Sequence, residues 1–84
     1  MKIKSGFVVR RVGTDVYAIS TRAERNGMIK MNESAAALWD FFTEAHSAEE
    51  GAEYLFRRYV LSLGQARTET ERFLKLLREN DILE

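Results

Sequence analysis

The side chains that most often carry catalysis are nearly missing from this 84-residue sequence: cysteine is absent and His46 is the only histidine. Disulfides, thiolate metal sites and cysteine nucleophiles are thereby removed, and a protein-only zinc or haem site lacks its usual donors. His46 has no nucleophile or paired carboxylate placed to work with it, and is expected at the surface near a helix C-terminus, where partial positive charge is favourable. Glu49 and Glu50 look like paired acids, but neighbours on a helix point away from each other. They read as first-turn acids at the positive end of a helix dipole. Neither catalysis nor a cofactor is expected. What remains is the chemistry of a backbone edge, with apolar and charged side chains beside it.

Such an edge is written between Asn26 and Thr43. Asn26-Gly27 tolerates positive φ and can reverse the chain. From Met28 to Met31 the side chains alternate, Ile29 and Met31 on one face, Met28 and Lys30 on the other. Asn32 is a good N-cap, Glu33 follows at the positive end of the dipole, and Leu38, Trp39 and Phe42 share one helical face. The large aromatics of that face are expected in the core, since a domain this small needs the buried area. A strand that runs straight into a helix leaves one edge open to a partner.

Around this segment the sequence predicts a single domain over residues 1–84. Phe7 to Val12 reads as a strand, Gly13-Thr14 as a two-residue turn and Asp15 to Ser20 as the returning strand. The third strand, Gly27 to Met31, belongs beside the second at the edge of a meander. The first helix is expected over about residues 33–45. Ser47 and Glu50 form a capping box for a second helix burying Ala52, Leu55, Phe56 and Tyr59. Ser62 and Gln65 form another for a third helix with the stripe Leu63, Ala66, Thr70, Phe73, Leu74 and Leu77. The expected fold is α+β and winged helix-turn-helix-like, a three-stranded antiparallel sheet followed by three helices.

Hydrophobic residues make up 45% of the chain, too many for a disordered one. No apolar run is long enough to span a bilayer and no signal-peptide pattern opens the chain, so a soluble, cytoplasmic protein without a membrane partner is expected. Formal net charge is zero, but residues 1–32 hold seven Lys/Arg against two acids, a formal +5, and residues 33–84 the opposite −5. This polarity attracts the two layers to each other and also favours an acidic peptide on the strand half. On the third helix Arg67, Arg72, Lys75 and Arg78 are offset by Glu69, Glu71, Glu79 and Asp81 nearby. A near-neutral helix gains little from counterion release, so nucleic acid is an unfavoured partner.

Leu76 lies off the buried stripe, beside Glu69, Arg72 and Phe73 on a helical wheel. With an open strand edge next to them, these four would form a groove with an apolar floor and polar walls. That shape suits strand addition, in which backbone bonds supply affinity and alternate side chains enter pockets.

Asn26, Gly27, Met28, Ile29, Met31, Asn32, Glu33, Ser34, Ala35, Leu38 and Trp39 resemble the Asn-Gly-Met-Ile-x-Leu-Asn-Glu-Thr-Ala-x-x-Leu/Ile-Trp signature of the PqqD family. Met31 replaces Leu and Ser34 replaces Thr. The likeness runs from Gly6-Phe7-Val8 to Ile82-Leu83. Asn80-Asp81 stands where the family usually has Gly, and Asn accepts the left-handed helix-end conformation. The resemblance implies a precursor-peptide chaperone without a cofactor. Such a protein binds the leader of a ribosomally made peptide as an extra strand along Gly27, Met28, Ile29, Lys30 and Met31, next to the third helix. It then presents the peptide to a modifying enzyme, often a radical S-adenosylmethionine enzyme. A winged-helix DNA-binding regulator is the alternative reading of the same pattern, and dimerisation through the open edge a third.

Overall fold

The structure, a computed structural model, describes residues 1–21 and 28–84. β-Branched and aromatic residues build β1 (Phe7–Val12) and β2 (Asp15–Ser20), and Met28–Met31 forms β3. The order is β1-β2-β3 and both pairings are antiparallel, with Val12 opposite Asp15 and Val16 opposite Met31. Gly13 supplies positive φ (64°) at the first position of the two-residue turn, a conformation that costs an L side chain and not glycine. The expected turn at Asn26-Gly27, and Gly27 as the first residue of β3, lie outside the described residues.

Three helices follow: α1 (Glu33–Phe41), α2 (Ala48–Arg58) and α3 (Leu63–Glu79). Both expected capping boxes form, Ser47 with Glu50 and Ser62 with Gln65, each hydroxyl accepting from a backbone N–H at 3.1 Å. The bond from the Ser47 N–H, first among its causes, holds the Glu50 carboxyl below its ordinary range. At the far end of α3 the N–H of Ile82 donates to Leu77 O at 2.8 Å and that of Asp81 to Arg78 O at 3.1 Å. This is a Schellman closure. The left-handed residue is Asp81 (φ 54°) and not Asn80, whose φ is −101°. Lys4 Nζ, 2.8 Å from Asp81 Oδ1, holds that short acid in place.

Val16, Ala18 and Met31 on the inner sheet face meet Leu38, Trp39, Phe42, Leu55, Phe73, Leu74, Leu77 and Ile82 in one core. Trp39 is buried, as its place on the helical face predicts, and packs edge-on against Phe7 with ring centroids 5.9 Å apart. The first helix stops at Phe41, short of the expected residue 45. Thr43 Oγ1 donates back to Asp40 O at 2.7 Å, and the chain turns off so that Phe42 stays fully buried. Phe56 is the second departure: it is 47% exposed, while Gly51, Ala52 and Leu55 form the buried stripe of α2. One residue past Leu55 is about 100° further round the helix, which carries Phe56 off the inner face. Leu63 and Tyr59 are half-buried.

Two packing tests follow from this core. A Cβ on Gly51 would lie 2.7 Å from Cζ of Phe42 and 3.1 Å from Thr70 Cγ2. Because the Phe42 ring is fully buried and has no free space to enter, Gly51→Ala is expected to cost about 1–3 kcal/mol in urea unfolding. Trp39→Ala is expected to cost about 3–5 kcal/mol by the same measurement; a variant that melts like the parent would place Trp39 outside the core.

Candidate functional site

The junction of β3 and α1 builds the site. Met31 is buried and ends the strand; Asn32, in extended conformation, begins the helix, its Oδ1 accepting from the Ala35 N–H at 2.9 Å. The Ser34 hydroxyl lies 3.0 Å from Asn32 Oδ1 and 3.4 Å from Glu69 Oε2, and Glu69 Oε1 lies 3.4 Å from the Arg72 guanidinium. A chain of polar contacts thus runs from the start of α1 to the middle of α3. Beside it, a cleft of about 200 Å³ opens between β3 and α3, lined by Lys30, Met31, Asn32, Ser34, Ala35, Glu69, Arg72, Phe73 and Leu76.

Six of the nine residues expected to bind a peptide therefore meet around one cleft: Lys30, Met31, Glu69, Arg72, Phe73 and Leu76. Met28 and Ile29 lie further along the same strand, Met28 exposed and Ile29 half-buried against the core, and neither lines the cleft. Gly27 is outside the described residues. Among the described residues β3 pairs with β2 alone, so its outer edge carries no strand partner. Phe73 is only 3% exposed and stacks on Phe42 at 6.2 Å, making it the floor of the cleft and part of the core at once. Leu76, read from the wheel as off the buried stripe, is half-buried.

The cleft's charges are mostly compensated within the chain. Arg72 pairs with Glu69, and the Lys30 ammonium lies 3.5 Å from the Asp15 carboxylate. Both cations are well exposed, so these pairs are weak and can exchange for a ligand's carboxylate. A second depression of about 480 Å³ continues past Asn32, Ser34 and Glu69 to Tyr59, Val60 and Leu61. Asn32 and Ser34 were legible as cap and first-turn residues, but nothing in their spacing placed them on a cleft wall. The connection between α2 and α3 reaches the site only through tertiary packing.

His46 does not sit free at a helix end. It stacks on Phe41 with ring centroids 3.9 Å apart, and Phe41 in turn stacks on Tyr54 at 4.6 Å. Its Nδ1 lies 3.8 Å from Glu50. Its part is to pack the α1–α2 connection, away from the cleft. Among the described residues no three His, Cys, Asp or Glu are grouped to hold a metal ion, and no helix is long and apolar enough to cross a membrane.

A three-stranded antiparallel sheet whose last strand pairs on one side only among the described residues, followed by three helices with a cleft between that strand and the last helix, defines an α+β, winged-helix-like class. The same fold occurs in two solved structures. One is TbiB1 in complex with the TbiA(beta) leader peptide, with TM-score 0.76 and 18% identity, covering 100% of this chain and 95% of that one. The other is lasso peptide synthetase B1 complexed with the leader peptide, with TM-score 0.73 and 17% identity, covering 99% of this chain and 95% of that one. No curated protein matches the chain. The family model of coenzyme PQQ synthesis protein D (PqqD) matches residues 9–83, and the chain belongs to that family.

Asn32→Ala is expected to cost about 1 kcal/mol in urea unfolding, the usual loss for a helix N-cap, with Asn32→Asp close to the parent. Equal stability of Asn32→Ala and the parent would show that the cap does not hold the junction.

Proposed function

We propose that this chain is a precursor-peptide chaperone: it binds the leader of a ribosomally made, post-translationally modified peptide as a fourth strand on β3 and presents it to a modifying enzyme. The single observation that carries the reading is the outer edge of β3, without a strand partner among the described residues, beside a cleft lined by Lys30, Met31, Glu69, Arg72, Phe73 and Leu76. Two structures of the same fold hold leader peptides, and the family assignment agrees with that use.

In this reading Gly27, Met28, Ile29, Lys30 and Met31 offer backbone groups. A strand that pairs on one side only leaves every second N–H and C=O directed outward, which is the template a leader needs. Alternate leader side chains then point into the cleft, where Phe73 and Leu76 give apolar contact and Glu69 and Arg72 line the wall. A leader carboxylate exchanges with Glu69 or Asp15 for Arg72 or Lys30, and the formal +5 of residues 1–32 adds a longer-range preference for an acidic leader. The work is binding and presentation, performed in the cytoplasm where the precursor is made. The bond-making steps and any cofactor belong to the partner enzyme, a radical S-adenosylmethionine enzyme being one kind that fits.

Leu76→Glu places an unpaired carboxylate where a leader side chain is to be buried. It is expected to weaken binding of the synthetic leader at least tenfold, about 1.4 kcal/mol. Arg72→Glu is expected to weaken an acidic leader as well, more at low salt than at high salt, because an exposed charge acts through a screened field. Fluorescence anisotropy across a salt series reads both, with a melt to confirm that each variant is folded. Parent affinity in Leu76→Glu moves the site away from the cleft. Tight binding to duplex DNA that falls steeply with salt, with none to the leader, replaces the reading by a DNA-binding one.

A further inference from the structure

The face of the sheet turned away from the helices carries residues of β1 and β2 that the leader cleft does not use. Inner-face positions Val16, Ala18, Ile29 and Met31 fix the alternation, so Val8, Arg10 and Val12 of β1 lie on the outer face, as do Asp15, Tyr17 and Ile19 of β2 and Met28 and Lys30 of β3. Register aligns these into rows across the strands. Val8, Ile19 and Met28 form an apolar row; Arg10, Tyr17 and Lys30 form a basic and aromatic one beside it. Val8, Val12 and Met28 are 37%, 64% and 62% exposed. Lys30 has Asp15 at 3.5 Å, while Arg10 has no ion-pair partner among the described residues.

We propose that this outer face is the docking surface for the modifying enzyme, through an apolar patch on that enzyme rimmed by Asp and Glu. The inference rests on the leader-binding reading, since it names the surface by which the bound leader is presented. Three considerations choose this occupant. The patch is continuous with the proposed leader site, because Met28 and Lys30 belong to the strand whose edge the leader would extend. Among the described residues Arg10 and Lys30 stand on it against Asp15, and the strand half carries a formal +5, so a complementary surface is acidic. A second copy docked face to face would offer only the same basic row and lack the acidic complement that Arg10 calls for.

Size agrees with a partner that comes and goes. With strands about 4.8 Å apart and about 3.3 Å per residue, the face spans roughly 300 Å². A stable complex buries about 800 Å² on each side. A chaperone that must release its cargo after each modification is served by the smaller contact.

The test uses the whole chain with the modifying enzyme encoded beside the precursor, titrated by calorimetry, and the labelled leader, titrated by anisotropy. Arg10→Glu and Val12→Asp both change exposed residues outside the leader cleft. At about 0.15 M salt, where exposed charges more than about 8 Å apart are largely screened, each is expected to leave leader affinity within twofold of the parent and to weaken enzyme association at least tenfold, with and without leader bound. Enzyme affinity unchanged in both variants overturns the proposal while leaving leader binding intact. Failure of the parent to bind the leader overturns the functional reading instead, and the enzyme titration still decides the face. A concentration-dependent dimer abolished by Val12→Asp, or duplex DNA displaced by Arg10→Glu, would name a different occupant and overturn it as well.

Discussion

A single side chain joins the strand that offers an edge to the helix that holds it in place. Asn32 directly follows β3 and caps α1 by accepting a 2.9 Å bond from the Ala35 N–H, so strand direction and helix direction are fixed together without a linker. Met31 is buried just before it and Ala36, Ala37, Leu38 and Trp39 just after, so the junction is clamped by the core on both sides. Everything proposed for function follows from the outer edge of β3, which has no strand partner among the described residues and lies beside α3 and the Asn32, Ser34, Glu69 and Arg72 contacts.

The division between what folds the chain and what binds runs through individual residues. Phe73 carries both tasks: its ring stacks on Phe42 in the core and floors the cleft. Leu76, one turn on and half-buried, lines the cleft without joining the fully buried stripe. Gly51 serves packing alone, letting α2 approach Phe42 more closely than any Cβ would allow. The basic and acidic halves meet through the apolar core, and an exposed ion pair between them such as Arg11–Glu33 at 3.3 Å contributes little to stability. The charge polarity is thus left to act on partners.

Much of this was legible because the signals are local. The Gly13-Thr14 turn, the Asn32 cap, both capping boxes and the alternation of Met28 to Met31 each depend on a few neighbouring residues, and all appear. The wheel position that set Glu69, Arg72, Phe73 and Leu76 together also holds, since a helix of 17 residues keeps its period. What failed needed tertiary knowledge. Ala52 and Leu55 are buried as expected, but Phe56 is exposed because Gly51, not Phe56, completes the inward face of α2, and a residue without a side chain does not announce a buried face. Helix α1 ends early because Phe42 must stay in the core. His46 is half-buried and not a free surface side chain, because Phe41 offers it a stacking partner that only the packed α1–α2 connection creates. Asp81, rather than Asn80, takes the left-handed position, where Lys4 from the other end of the chain meets its carboxylate.

Amide hydrogen exchange along β3, with and without the leader, tests strand addition most directly. Alternate N–H groups of a strand point to opposite edges, so two of the four amides from Met28 to Met31 face β2 and two face outward. The account predicts slow exchange at the first two throughout, and protection of the other two only when the leader is bound. Saturating leader that leaves the outward amides exchanging as before, with protection appearing elsewhere on the chain, would contradict it.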